Sequence, residues 1–249
     1  MIYNIRKLNG SEEMRRIFLD DVTGSDIKII GQDARHLAYS LRAKRGDRIT
    51  AVDGMGNCAV LELIDFDRET IKAKRIGDVG KVIGGGKIIL ADCLPKQNRF
   101  ETIIEKATEL GVDKIQPLIS ERTIARPRNK LERWRKLAKE ASEQCGRDTI
   151  PEIGEVLNLD DWLKDLPLDE SWLFLFCWEL ERATTVREVL SRYDGENILV
   201  LIGTEGGFTE REVLEIKSAG GVSASLGERI LKTDTAAISV LAMINYERM

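Results

Sequence analysis

Two glycine-bearing segments near the carboxyl end of the chain have the residue types of a ligand-binding crevice. The first, residues 203–207, follows the unbroken apolar run 198–202, which is typical of a parallel strand buried on both faces. The second, residues 227–234, follows a shorter apolar stretch at 222–226. Glycines at the carboxyl end of a strand let a ligand approach the backbone, and ligands of open α/β sheets bind at that edge. We therefore expect a small-molecule site between these two loops.

The same glycines would also suit a tight turn that binds nothing, and no familiar nucleotide fingerprint fits them. Their spacing is not G-x-G-x-x-G, and no Gly-Lys-Ser/Thr follows a glycine loop. The glycines at 84–86 precede Lys87, but they lead into the strand-like residues 88–90 rather than into a helix. We interpret residues 78–86 as a linker.

The elements that must position the loops follow a regular alternation after the linker. Strands alternating with helices predict a parallel sheet that is covered on both faces. We expect four of the helices to open with a capping box, formed by Asn98 with Glu101, Asn129 with Glu132, Thr185 with Glu188, and Thr209 with Glu212. The predicted strands are 88–94, 114–120, 172–178, 198–202 and 222–226, and the predicted helices are 98–111, 129–145, 159–166, 185–192, 209–220 and 235–246.

The first 76 residues have a different pattern, with short strand-like segments separated by turn signals. One helix candidate, residues 34–43, interrupts them. This pattern predicts a small, mostly β barrel ahead of the α/β domain. The predicted strands lie at 17–19, 26–30, 48–53, 58–66 and 70–74.

Charge is distributed unevenly although the formal net charge is only -4. Residues 122–139 carry eight basic side chains against one acidic side chain, and residues 151–196 carry twelve acidic against four basic. Such blocks suggest one surface that faces a polyanion and another that faces solvent or a second subunit. The alternative is that the basic block is simply a solvated helix face.

Cysteine and histidine usage argues against several kinds of site. The four cysteines have no C-x-x-C spacing and are interpreted as reduced thiols, and the single histidine, His36, makes a zinc cluster improbable. No apolar run approaches membrane-spanning length, and the amino terminus does not have the pattern of a signal peptide. We expect a soluble, cytoplasmic protein without a metal.

Taken in order along the chain, several motifs together resemble the ribosomal RNA small subunit methyltransferase E family of the SPOUT superfamily. Each motif alone is weak, but the ordered set is specific and spans nearly the whole chain. One departure is Thr204, which stands where the family usually has proline and is expected to loosen the loop. The matching stretches are residues 14–18, 36–37 with 41–42, 95–111, 121–122, 134 with 140–147, 203–209 and 226–235.

The resemblance implies an α/β fold class with an N-terminal PUA-like β-barrel (1–76) that binds RNA. It also implies a C-terminal SPOUT methyltransferase domain (77–249) with a trefoil knot, working as a homodimer. General connection rules disfavour knots, and this superfamily is an exception to them. The implied activity is methylation of uridine N3 in small-subunit (16S) ribosomal RNA, free or in the assembled subunit, with S-adenosyl-L-methionine as cofactor.

The resemblance also implies roles for individual residues. The cofactor would bind in the knot, between the loops that follow 176, 202 and 226. The implied cofactor-binding residues are Phe176, Cys177, Leu201, Ile202, Gly203, Glu205, Gly206, Gly207, Leu226, Gly227, Ile230, Leu231 and Thr235. The implied RNA-binding residues are Arg6, Arg15, Arg42, Lys96, Arg122, Arg126 and Arg128.

Methyl transfer to uridine N3 requires two positioned reactants and the departure of one proton. As that proton leaves, negative charge spreads to O2 and O4, so cationic donors aimed at these oxygens would favour the reaction. Arg16, Arg99 and Arg229 are the candidate donors, and Glu205 would orient the base or accept the proton. Glu205 could instead be an ordinary carboxylate favoured at the start of a helix. The alternatives to this function are a SPOUT methyltransferase acting on another RNA or on a ribose 2'-hydroxyl, and a non-catalytic RNA-binding module.

Overall fold

The computed structural model describes residues 15–67, 69–79, 86–125, 127, 129–166 and 168–248. Contacts within the chain divide it into two compact units. The first contains Met1–Ile83 together with Ser142–Ile150, and the second contains Gly84–Ala141 together with Pro151–Met249. Arg6, Arg126 and Arg128, which the sequence predicts to bind RNA, lie outside the described residues, and for Arg15 only the backbone is described.

The first unit is built around a five-stranded sheet in the order β1-β3-β4-β5-β2. Neighbouring strands are antiparallel except for β1 and β3, which are parallel. In β2, Ile27 and Ile29 are buried while the residues between them are exposed, as expected for a strand with one face on the core. The elements are β1 (Arg15–Phe18), β2 (Asp26–Ile30), α1 (Gly31–Arg35), which continues as a π-helical turn (His36–Ser40), β3 (Arg48–Val52), β4 (Cys58–Phe66) and β5 (Thr70–Val79).

The segment Ser142–Ile150 joins this first unit although the chain on both sides of it belongs to the second. Thr149 forms backbone bridges with Gly54 and Met55, and Ile150 packs on a small apolar cluster of the sheet. The side chain of Arg16 forms an ion pair with Asp148, with 2.8 Å between Nη1 and Oδ1. This candidate catalytic arginine therefore already has a carboxylate partner within its own unit.

The second unit contains a parallel sheet in the order β12-β10-β11-β6-β7-β8, with β9 also paired to β7. Helices separate most of the strands along the chain, as the sequence pattern predicts, but β8 is followed directly by β9, and these two short strands were not predicted. The elements are β6 (Ile88–Cys93), α2 (Arg99–Glu109), β7 (Lys114–Ile119), α3 (Leu131–Cys145), β8 (Glu152–Ile153), β9 (Leu157–Asn158), α4 (Leu159–Lys164), β10 (Trp172–Cys177), α5 (Val186–Leu190), β11 (Asn197–Ile202), α6 (Glu210–Ser218), β12 (Val222–Ala224) and α7 (Thr233–Glu247).

Strand β11 lies between β10 and β6, which explains its unbroken apolar run. Leu199 and Leu201 belong to a core cluster that includes Phe176 and Phe208. Because side chains alternate along a strand, Val200 and Ile202 face the opposite side of the sheet. Both sides are buried, so a polar residue on either face of β11 would lie in the interior.

Two of the four predicted capping boxes are confirmed, those of Thr185 with Glu188 and Thr209 with Glu212. The prediction for Asn98 is wrong, because its side chain makes no cap hydrogen bond and instead accepts one from Lys130. The prediction for Asn129 is also wrong, because α3 begins two residues later and Asn129 has a φ of 53°. A capping motif in the sequence thus fails to predict a cap where the polar side chain bonds to a nearby cation or where its own backbone has an unusual conformation.

None of the helices in the described parts of the chain is both long enough and apolar enough to cross a membrane.

The capping box at Thr209 extends into a buried hydrogen-bond cluster centred on Glu212, which is fully buried. One carboxylate oxygen of Glu212 accepts the Glu121 N–H at 2.8 Å, and the other accepts the Thr209 N–H at 2.8 Å and the Thr209 hydroxyl at 3.2 Å. The carboxylate therefore connects the end of β7 to the start of α6.

We predict that Glu212→Ala lowers the free energy of unfolding by about 2–4 kcal/mol, because two partly buried N–H groups lose a charged acceptor. Urea unfolding followed by far-UV circular dichroism measures this loss. Glu210→Ala, in the same helical turn but exposed, is the matched control and is expected to cost less than about 0.5 kcal/mol. Equal losses in the two variants would contradict a buried anchoring role for Glu212.

Candidate functional site

A crevice opens at the carboxyl ends of β10, β11 and β12, three adjacent strands of the second sheet. Its enclosed part measures about 90 Å³, and the residues at its mouth are open to solvent; Ile230, for example, is 83% exposed. The lining residues are Cys177, Trp178, Glu179, Arg182, Ile202, Gly203, Thr204, Gly207, Ser225, Leu226, Gly227, Glu228, Arg229, Ile230, Leu231, Thr233 and Ala236. The position agrees with the site expected from the two glycine-bearing loops.

The loop after β11 folds back as a turn whose shape Thr204 helps to fix. The Thr204 carbonyl accepts the Gly207 N–H at 2.9 Å, and its hydroxyl accepts the Gly206 N–H at 3.2 Å. A threonine that bonds the N–H two residues onward mimics a backbone turn. The Thr204 hydroxyl thus supplies a hydrogen-bond constraint where proline would supply one through its ring, and a looser loop stays a prediction.

Glu205 is held away from the turn by the loop that precedes α2. Its carboxylate accepts the Lys96 backbone N–H at 3.0 Å and pairs with the Arg99 guanidinium at 3.2 Å. Two of the residues predicted from the sequence, Arg99 and Glu205, are thus brought together as an ion pair. The charge of Arg99 is partly balanced before any substrate binds.

Arg122 is engaged with the same loop from another side. Its Nη1 donates to the Gly206 carbonyl at 2.5 Å and to the Phe208 carbonyl at 3.3 Å. A β-carbon added to Gly206 would meet the aliphatic part of Arg122 at 3.2 Å. Gly206 therefore lies against Arg122 and is absent from the crevice lining, and Arg122 acts on the loop in addition to any role in binding RNA.

Gly207 lies in the crevice and has a backbone conformation that disfavours other residues. Its φ is 67°, in the left-handed region. A β-carbon at this position would also collide with the carboxylate of Glu179. The absence of a side chain at Gly207 keeps this part of the crevice accessible.

Cys177 is the crevice residue with the chemistry of a nucleophile, but its surroundings disfavour that role. Burial raises the pKa of its thiol to about 12. The thiol is therefore neutral at physiological pH, and the thiolate is the reactive form of cysteine. A covalent intermediate on Cys177 is therefore disfavoured.

The other residues predicted from the sequence fall into three groups. Several of them line the crevice: Cys177, Ile202, Gly203, Gly207, Leu226, Gly227, Arg229, Ile230 and Leu231. Phe176 and Leu201 are fully buried in the core behind it, and Thr235 is an exposed residue in the first turn of α7. Arg16 and Arg42 belong to the first unit, where Arg42 is exposed with a φ of 51°.

Eight crevice residues are not among the site residues predicted from the sequence: Trp178, Glu179, Arg182, Thr204, Ser225, Glu228, Thr233 and Ala236. Trp178 and Glu179 directly follow β10, so the rule that ligands bind at carboxyl strand ends could have identified them. The resemblance does place the loop after residue 176 at the site, but it names only Phe176 and Cys177 there. Thr233 lies within the expected second loop, 227–234, without a predicted role, and Ala236 lies in the first turn of α7.

Comparison with known proteins identifies the family. The model of the RNA methyltransferase domain matches residues 85–245. Ribosomal RNA small subunit methyltransferase E of Bacillus subtilis is 30% identical over 228 residues, which cover 88% of this chain and 89% of the relative. The protein of the same name from Synechocystis is 30% identical over 229 residues, covering 91% and 75%.

A solved structure supports the same grouping. The crystal structure of a ribosomal RNA small subunit methyltransferase E from Neisseria gonorrhoeae, bound to S-adenosyl methionine, has a TM-score of 0.86 and 28% identity. The match covers 94% of this chain and 98% of that chain. From its sequence matches and its fold, this chain belongs to the RNA methyltransferase family, among the ribosomal RNA small subunit methyltransferase E proteins.

Proposed function

We propose that this protein methylates uridine N3 in small-subunit ribosomal RNA and uses S-adenosylmethionine as the methyl donor. The observation that carries the proposal is the crevice at the ends of β10, β11 and β12, in a chain whose relatives are named as ribosomal RNA small subunit methyltransferases. The Neisseria relative binds S-adenosyl methionine and shares the fold over nearly the whole chain.

The residues of the crevice fit such a cofactor. Leu226, Ile230 and Leu231 offer apolar surface, and the large exposed fraction of Ile230 is surface that a bound ligand would cover. Glu179 and Arg182 add a carboxylate and a cation for polar groups of the ligand. When bound, the cofactor supplies an electrophilic methyl group on a sulfonium, so the protein needs only to orient the uridine and handle its proton.

Arg229 is the cation best placed to act on the uridine. It is exposed and lines the crevice, and in the described part of the chain it has no ion-pair partner. Arg99 and Glu205 form a pair that would orient the base from the other side of the loop. Arg16 is proposed to contribute a further cation, in exchange for its present contact with Asp148.

The proposal for the domains follows the family. Residues 1–76 would form a PUA-like barrel that binds RNA, and residues 77–249 the SPOUT methyltransferase domain, whose C-terminal segment is knotted. Lys96, Arg122 and the basic side chains of α3 support an RNA-facing surface on the second unit. The place of action would be the cytoplasm, where ribosomal RNA is available.

A homodimer is supported by the outer face of α7. This helix is apolar on most sides, and Ala242, Met243 and Tyr246 remain exposed, the last with 72% of its surface. An apolar helix face left in water is typical of a subunit interface. We propose that α7 of a second copy covers it.

The test of the function is incubation of the purified protein with unmethylated small-subunit ribosomal RNA and S-adenosylmethionine, followed by nucleoside mass spectrometry. We expect 3-methyluridine. A 2'-O-methylated nucleoside, or methylation of transfer RNA alone, would assign the protein to another activity of the same fold. Failure of the protein to bind the cofactor would make it a non-catalytic RNA-binding module.

We predict that Gly207→Ala weakens S-adenosylmethionine binding by at least about tenfold, because the new β-carbon displaces Glu179 within the crevice. Isothermal titration calorimetry measures the affinity. Gly220→Ala is the matched control, since Gly220 also has a positive φ, 90°, but its β-carbon would meet open space. Both variants lose about 1–2 kcal/mol of stability from backbone strain, and an equal loss of affinity in both would contradict the crevice geometry.

We also predict that Arg229→Ala lowers the single-turnover rate at saturating RNA and cofactor by roughly one to three orders of magnitude, the scale for losing one preorganised donor. Raising the pH should partly restore the rate, because solvent base then supplies more of the uracil anion, while arginine stays charged throughout. Arg187→Ala, at an exposed position of α5, is the control. A wild-type rate in Arg229→Ala would remove this residue from the mechanism.

A further inference from the structure

Asp92, near the carboxyl end of β6, is a buried acid to which the mechanism above gives no role. It has no exposed surface, and neither of its carboxylate oxygens has a hydrogen-bond partner among the described residues. A buried polar group without a partner is costly, and an unpaired buried charge more so. A group with this cost, at a position where an apolar residue would pack better, indicates a function.

Its direction follows from the strand. Ala91 and Cys93 belong to the core cluster on one face of the sheet, so the Asp92 side chain points to the other face. In the paired strand β11 its neighbour in register is Ile202, which lines the crevice. Asp92 thus lies in the same layer as a crevice residue, one strand away.

The negative charges of two other acids affect Asp92. These acids are Glu205, in the loop after β11, and Asp234, in the first turn of α7. Burial raises the pKa of Asp92 well above its usual range, and the charges of Glu205 and Asp234 raise it further. Near Asp92, Glu205 and Asp234, the guanidinium of Arg99 is paired with Glu205. The thiol of Cys93, the residue after Asp92, faces the opposite side of the sheet. The protonated, neutral form of the Asp92 carboxyl is therefore favoured over the charged form.

The start of α7 connects this acid to the crevice. Thr233 lines the crevice and is buried, and its hydroxyl has no hydrogen-bond partner within the described residues. The next residue, Asp234, also has a buried oxygen without a partner there. The crevice that would bind a cation therefore has buried polar atoms without hydrogen-bond partners beside it, on Asp92, Thr233 and Asp234.

We propose that Asp92 holds the proton that methylation releases, and that it gives this proton up when the positively charged cofactor binds. The inference rests on the proposed function. In the reaction the N3–H bond breaks, the N3–CH₃ bond forms, and the electron pair of the S–CH₃ bond stays on sulfur. The positive charge of the sulfonium disappears as a proton appears, and Asp92 takes up that proton, so the charge in the interior stays balanced.

The proposal predicts a difference between the cofactor and its neutral product. S-adenosylmethionine should release about one proton from the protein on binding, and S-adenosylhomocysteine none. Because binding releases a proton, affinity for S-adenosylmethionine should rise with pH, by at most about tenfold per unit, over the range where Asp92 is protonated. The affinity for S-adenosylhomocysteine should not change over this range.

The experiment is isothermal titration calorimetry of the full chain at one pH in buffers of different ionisation enthalpy, which counts the protons released. Asp92→Asn keeps the size of the side chain and should abolish the release on S-adenosylmethionine binding. Asp161→Asn, which removes an exposed carboxylate on α4, should release as many protons as the wild type. Thermal unfolding checks that each variant is folded.

The outcomes separate this inference from the proposed function. If the wild type does not bind S-adenosylmethionine, the proposed function fails. If it binds with equal proton release for both ligands, or if Asp92→Asn keeps the release, Asp92 does not hold the proton. Should Asp92→Asn not fold, the pH dependence of the two wild-type affinities still decides, since parallel curves would overturn the proposal.

Discussion

The hydrogen-bonded register of β11 with its neighbours is the constraint on which the site depends. β11 is parallel to β10 on one side and to β6 on the other, so three strands end at the same edge of the sheet. That alignment brings the loops after Cys177 and Ile202 together, and it places Asp92 beside Ile202. A slip of one residue in this register would turn every side chain of β11 to the opposite face, exchanging crevice residues for core residues.

The shape of the loop after β11 depends on groups supplied by other parts of the second unit. The Lys96 N–H and Arg99 hold Glu205, and Arg122 holds two backbone carbonyls. Within the loop, Thr204 bonds to the two glycine N–H groups. The glycines permit the close approach, but polar groups from the start of α2, from the loop before it and from the loop after β7 determine where the backbone lies.

Much of this arrangement was predictable from the sequence, in particular the parallel alternation after residue 86 and the crevice beside β11. Patterns that depend on local geometry, such as the capping box at Thr209, were also readable. The features that the sequence did not predict depend on contacts between residues that are far apart in the chain. Nothing local shows that Asn98 is taken up by Lys130, or that Glu179 faces Gly207. The role of Asp92 could not be recognised from the sequence for the opposite reason. The apolar residues around it predict a strand whether or not one residue of that strand is an acid.

The packing of Ser142–Ile150 within the first unit affects the order in which contacts can form during synthesis. Synthesis proceeds from the amino terminus, so Arg16 and Gly54 leave the ribosome well before Asp148 and Thr149, with which they make contacts in the finished structure. These contacts of the first unit therefore cannot form as soon as its strands are made. They require almost seventy further residues beyond β5, a stretch that already contains β6 and β7 of the second sheet.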